Sequence, residues 1–346
     1  MKHKIVLSSL LSCVSLSFLS ATDIPMPPPV PATQPSSPAV TTQPKGTITP
    51  AVAPRVQDGL GLLVDADFTW WKSQVSGMNY AEIDSHVRSP SSHFKPGFKV
   101  GFGLDLDFDG WDTYLGYTWF SNPWSSSSHE SKDELSYSSF VHANTSSGVL
   151  SSLILADAKS SRKEQFNILD AELGRNFFIS KRLTLRPHFG MKAARMLEKT
   201  NLIQNQEGLH GSVKAFLSQT LSGIGARAGV NTVWHLSRTY GFYGDFAVTA
   251  LWSSLHNHCN SDFFDDGIHT DRHSNLKTQT ILPVIELGLG LTYMTWFYNE
   301  TYQLYAKAGW EEQIWLNYNY NMPNDTVNNT GNLTLQGLTV KVGFAF

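Results

Sequence analysis

Charged residues recur at alternate positions of otherwise apolar segments. Asp65, Asp67, Lys99, Asp105, Asp107, Arg186, Lys192, Arg227, Asp245, Glu286, Lys307, Glu311 and Lys341 each follow an apolar residue or a glycine. On an extended strand, successive side chains face opposite ways. Alternation therefore gathers the acids and bases on one face and the apolar residues on the other. If such strands close on themselves, the charged face lines an interior. That interior is either a water-filled passage whose charges set ion preference, or a plug of mutually paired groups.

Other residue types also bear on chemistry. His256, His258 and Cys259 stand close together, followed by Asp262, Asp265, Asp266, His269, Asp271 and His273. Imidazole and thiolate suit zinc or copper, but the spacing matches no standard ligand pattern and no metal is assigned. Gly101/Gly103 and Gly288/Gly290 precede no helix, so they read as small residues on the charged face rather than phosphate loops. Ser and His are plentiful between the apolar segments, yet no nucleophile–base motif singles any out. No catalytic residue and no cofactor is assigned, and the expectation is a protein that is not an enzyme.

The elements that must position the charged face are strands. In 60–73, Leu62, Val64, Ala66, Phe68 and Trp70 alternate with Asp65, Asp67 and Thr69. From Phe98 to Phe108, every second residue is Phe, Val or Leu. Asp109-Gly110 then reads as a two-residue hairpin turn. Closing there pairs Phe108 with Trp111, Leu104 with Leu115 and Val100 with Trp119. Ten strands are expected, at about 60–73, 96–108, 111–120, 164–177, 182–195, 222–234, 240–253, 278–293, 302–316 and 335–346. The apolar phase changes within 164–177, between Phe166/Ile168 and Leu169/Ala171/Leu173, which predicts a bulge.

The connections alternate in length. Short ones fall at 109–110, 178–181, 235–239 and 294–301, and long ones at 74–95, 121–163, 196–221, 254–277 and 317–334. Short turns at one end and long loops at the other mark an outer-membrane barrel, an all-β, antiparallel, up-and-down architecture. Trp and Tyr near the strand ends fit interfacial girdles. About ten strands are expected, with twelve or more as the alternative.

The ends and the composition agree. Residues 1–21 carry Lys2 and Lys4, an apolar run and Ser20-Ala21, the pattern of a secretory signal peptide. Residues 22–56 hold ten prolines and read as an extended periplasmic linker, leaving 57–346 for the barrel. Only 16% of the 346 residues are charged, 12% are aromatic, and the net charge is -3. Such a chain has no basic field to attract nucleic acid. No apolar stretch after the N-terminus is long enough for a membrane helix.

The final segment, with Val340, Val342, Phe344 and Phe346 at alternate positions, resembles the assembly signal of bacterial outer-membrane proteins. Longer blocks at 96–120, 169–194, 223–234, 243–252 and 308–317 resemble the Legionella-type and chlamydial major outer membrane protein family. The resemblance implies an abundant barrel in the outer membrane of a Gram-negative bacterium, acting as a porin for passive diffusion of small solutes and ions. The alternative is a structural or adhesin barrel with a plugged lumen, acting through its long extracellular loops. Expected partners are outer-membrane lipid, lipopolysaccharide, the barrel assembly machinery and further copies of the chain. Chlamydial members are cysteine-rich and cross-linked. This chain has two cysteines, Cys13 and Cys259, so cross-linking is not carried over.

Overall fold

The computed structural model describes residues 61–76, 81–83, 86–88, 92–106, 110–129, 136–137, 155–180, 182–206, 212–265, 268–298, 301–320 and 330–346. Residues 1–21 and 22–56, expected as signal peptide and Pro-rich linker, lie outside them, as does Asp107. Ten long strands form the fold: β1 (Gly61–Val75), β2 (Lys95–Asp105), β3 (Trp111–His129), β4 (Leu155–Arg175) and β5 (Leu183–Gln206). They continue with β6 (Ser212–His235), β7 (Tyr240–Asp265), β8 (Ile268–Phe297), β9 (Tyr302–Tyr320) and β10 (Thr330–Ala345). Each pairs antiparallel with its neighbours in sequence, and β10 pairs with β1. Backbone bonds between Leu62 and Phe346, at 2.7 and 2.8 Å, complete the closure. The result is an all-β, up-and-down, closed barrel of ten strands.

Alternation decides which way each side chain points. Asp65, Asp67 and Thr69 are buried, while Val64, Phe68 and Trp70 are exposed. The outward residues make an apolar band, with Leu289 as much as 70% exposed. Aromatic residues flank this band at both ends. Trp234, Tyr240, Tyr293, Tyr298 and Tyr302 lie outward at the short-turn end, and Trp70, Trp252 and Trp310 lie outward toward the other. Rings that are part apolar and part polar settle at a membrane–water boundary, so the two girdles bracket the lipid-facing zone.

Three expectations are corrected. The hairpin at Gly110 pairs Leu104 with Thr113 and Val100 with Tyr117, two residues away from the expected register. The Leu106 amide bonds the Trp111 carbonyl at 3.0 Å in this same register, and Gly110 takes φ 73°. A slip of two leaves every side chain on its original face, which is why alternation cannot detect it.

Where they are described, the long connections are largely strand. A crossing needs only about 9–11 residues, but β7 has 26 and β8 has 30. Most of 196–221 and 254–277 therefore continues the barrel wall beyond the apolar band. The expected bulge in β4 is absent: its pairing with β5 is regular from Asp157 to Gly174. A face switch occurs instead in β9, between Trp315 and Asn319, where Asn317 takes φ 55°. Both Trp315 and Tyr318 consequently point inward.

Candidate functional site in the barrel lumen

Strand alternation brings the expected charged residues to the inner wall. Asp65, Asp67, Lys99, Arg186, Arg227, Asp245, Glu286, Lys307, Glu311 and Lys341 all line one cavity of about 370 Å³, Asp105 lines its short-turn rim, and Lys192 is fully buried in the wall behind it. They do not stand as separate charges. Two webs of ion pairs tie them together across the lumen.

The first web joins β3, β4, β5, β6 and β8. Arg186 grips Asp112 with both ends of its guanidinium, at 2.5 to 2.9 Å, and reaches Glu172 at 3.1 Å. Arg227 bridges Glu172 and Glu286. Lys192, fully buried, lies 2.7 Å from Asp170 and 2.6 Å from Glu286. Because β6 and β7 separate β5 from β8, the Lys192–Glu286 pair spans the lumen. Asn231 extends the web, accepting from Arg186 at 2.8 Å and donating to Asp245 at 2.8 Å.

The second web centres on Asp65. Tyr114 and Tyr305 donate to its two oxygens at 2.9 and 3.0 Å, and Lys341 lies 3.3 Å away. Lys341 also approaches Asp67 at 3.5 Å. Lys99 pairs with Glu311, crossing from β2 to β9. Lys307 lies over the rings of Tyr243 and Tyr305, at 5.2 and 5.9 Å from their centres. Glycines make room for these rings. A Cβ on Gly101 would stand 2.0 Å from the Tyr114 hydroxyl, and one on Gly343 would stand 2.2 Å from the Tyr305 ring.

A second layer was not legible as a site. Trp71, Phe120, Phe166, Ile168, Ala194, Met196, Leu221, Leu251, Leu255, Leu282, Val284, Trp315, Tyr318, Leu333 and Leu335 form one continuous apolar cluster. Every strand except β2 contributes, and exposures run from 0 to 6%. Trp71 packs tilted on Phe120, with centroids 6.0 Å apart, and Phe120 stacks on Phe166 at 5.8 Å. Beyond this layer, toward the long-strand end, a buried ion triad follows. Arg162 lies 2.9 Å from Glu164 and 2.5 Å from Glu198. Ser73 donates to Glu164, and Asn122 donates to Ser73 at 2.6 Å.

Several lumen residues escaped the sequence reading. Asp112 and Tyr114 were hidden because only the apolar phase of their strand was followed. Asp170 and Glu172 fell where the bulge was expected. Arg162 and Glu198 lay in stretches read as loops, and Glu164 was the first residue of an expected strand. The His–Cys cluster is pulled apart by alternation: His256 and His258 occupy one face of β7, and Cys259 the other. His258 bonds Asn275 at 2.5 Å, and His273 bonds Asn260 at 2.8 Å. Among the described residues no three His, Cys, Asp or Glu side chains converge on a metal position. Val340, Val342, Phe344 and Phe346 face outward.

A closed antiparallel barrel with an apolar outer band, aromatic girdles and an inward polar face is an outer-membrane β-barrel protein. The chain belongs to the family described as the Legionella pneumophila major outer membrane protein precursor, whose model matches residues 61–346. It is thus an outer-membrane protein of a Gram-negative bacterium. No curated protein matches it. Among solved structures it is similar to the outer membrane protease OmpT from Escherichia coli, at 10% identity and TM-score 0.42, covering 87% of this chain and 99% of that one. It is also similar to the toluene transporter TodX from P. putida, at 11% identity and TM-score 0.35, covering 84% and 90%. The translocator domain of autotransporter NalP from Neisseria meningitidis follows at 12% identity and TM-score 0.30, covering 83% and 88%. Likenesses this distant bear on none of the chemistry.

Proposed function

We propose that this protein is a sealed outer-membrane barrel that supports the envelope and presents its long-strand end at the cell surface. One observation carries the proposal: the apolar layer from Trp71 to Leu335, whose side chains are nearly inaccessible to water. Ten strands enclose little more than the eight-strand barrels whose interiors are just filled by side chains. An ion crossing here would shed its hydration against Phe120, Phe166 and Trp315, and would also part the Lys192–Glu286 and Lys99–Glu311 links. In this orientation the short turns and both barrel termini face the periplasm. Val340, Val342, Phe344 and Phe346 then form the strand that the assembly machinery reads. No reaction is assigned to the chain.

A second reading, a diffusion porin, is favoured by the charged cavity of about 370 Å³. In that case the apolar layer is a gate that must part before solute moves. Conductance of the folded protein in a planar lipid bilayer separates the two. A sealed barrel gives no stable steps, while Phe166→Ala/Trp315→Ala opens the layer and gives steps of reproducible size. Steady conductance of the unaltered protein would establish the porin and reject the sealed barrel. With KCl asymmetry, its reversal potential would report the excess of carboxylates over cations in the lumen.

A further inference from the structure

The outer wall carries a charge pattern that the lumen does not explain. On β4 and β5, beyond the apolar band, Lys159, Lys163, Arg195 and Lys199 all point outward and are exposed. Arg195 is the first outward residue past Phe189, Met191 and Ala193 on β5. Lys163 and Lys199 are direct cross-strand partners, an arrangement that like charges disfavour. Their other neighbours are neutral: Pro123 and Ser218 beside the lysine pair, Asn167 and Ser222 beside Arg195. Glu164, Asp170, Glu172 and Glu198 of these strands turn to the lumen and pair there. Among the described residues, none of the four cations forms an ion pair. The patch ends at β6, where Lys214 stands opposite Asp262 of β7.

We infer that β4 and β5 form a docking site for the phosphates of lipopolysaccharide, the outer leaflet's anionic glycolipid. Two facts fit that occupant together. Arg195 follows the continuous outward apolar run Phe189, Met191 and Ala193, at the height of a lipid headgroup, and Leu197 is the outward residue between it and Lys199. Arg195 and Lys199, four residues apart, are separated by about 13 Å along the strand, so the cations span a headgroup bearing more than one phosphate. An acyl chain would lie on Phe189 and Met191 below, which are exposed. The inference rests on the proposed orientation, with the long-strand end outside.

The test uses the full folded protein in detergent, titrated with diphosphoryl lipid A, and reads the temperature at which the heat-stable gel mobility is lost. Each Lys or Arg at an anionic lipid surface is worth about fivefold in affinity. Lys163→Gln/Lys199→Gln is therefore expected to need about 25-fold more lipid A for half-maximal stabilisation. Arg238→Gln/Lys277→Gln, which removes two cations elsewhere, is expected to match the unaltered protein, and inorganic phosphate alone to give no shift. Equal titrations for the two double variants, or a full shift with free phosphate, would overturn the lipid site. Asn201→Cys in a Cys259→Ser background tests the orientation separately. Labelling by a membrane-impermeant maleimide on intact cells is expected. Protection of Asn201→Cys would overturn the orientation, and with it the site in the cell, even where lipid A binds in vitro.

Discussion

Single residues inside this barrel are held by contacts that cannot be removed one at a time. Lys192 is fully enclosed and balances both Asp170 and Glu286. Replacing a buried ion pair by apolar groups is often neutral, but removing one partner strands the other in a medium of low polarity. Lys192→Met is expected to cost about 3–5 kcal/mol, read from urea unfolding of the barrel in lipid vesicles. A loss under about 1 kcal/mol would mean that water already reaches the web. Gly101 makes a different demand. Its missing side chain is the space that the Tyr114 hydroxyl occupies beside Asp65. Gly101→Ala is expected to expel that ring, with loss of about 1–3 kcal/mol from the hydrogen bond to the charged carboxylate, which keeps Lys341. Tyr114→Phe is expected to cost less than Gly101→Ala, since it removes the bond without the collision.

Along an element, position is governed by phase. In β4, Phe166 and Ile168 point to the lumen, and Leu169 points to lipid, although all three are apolar. Cysteine at Leu169 is expected to react with a lipid-soluble maleimide, while cysteine at Ile168 stays protected. Equal reaction at both would restore the bulge that the sequence alone suggests. In β7, Val248 lies in the middle of the outward band. Val248→Arg is expected to cost about 2–4 kcal/mol and to impair assembly. The same change at the outward and exposed His256, beyond the band, is expected to be tolerated. Recovery of heat-stable mobility on a gel measures both. The contrast follows from depth, since arginine is costly in hydrocarbon and not in water.

For the whole molecule, closure matters more than any strand. The lumen reads from the short-turn end as a charged cavity, an apolar layer and a buried ion triad. The long wall of β7 and β8 continues past the lipid band, so the molecule projects to one side of the membrane. Protease added to intact cells is expected to cut between residues 130 and 154, and the resulting fragments should stay together as a barrel. A cut that appears only after the outer membrane is opened would reverse the orientation.

Much of this was legible in the residues themselves. The number of strands, the direction each charged side chain faces and the lipid-facing band follow from a period of two, which is a local property of an extended chain. Lys99, Arg227 and Glu286 could be set on the inner wall because their neighbours were apolar. The same rule misled at Phe166 and Ile168, since it equates apolar with lipid-facing, and at 254–277, where polar residues on both faces resemble a loop. Neither error is visible locally. Whether an inward position is wet or dry depends on what the opposite wall places at the same height, and that wall is more than a hundred residues away for Phe166 and Trp315. Register at Gly110 was equally beyond reach, because a slip of two preserves every face. The sequence determined an outer-membrane barrel of ten strands with a charged inner wall. Only the closed tertiary structure decided which charges pair, and that a layer of buried aromatic and aliphatic side chains fills the lumen above them.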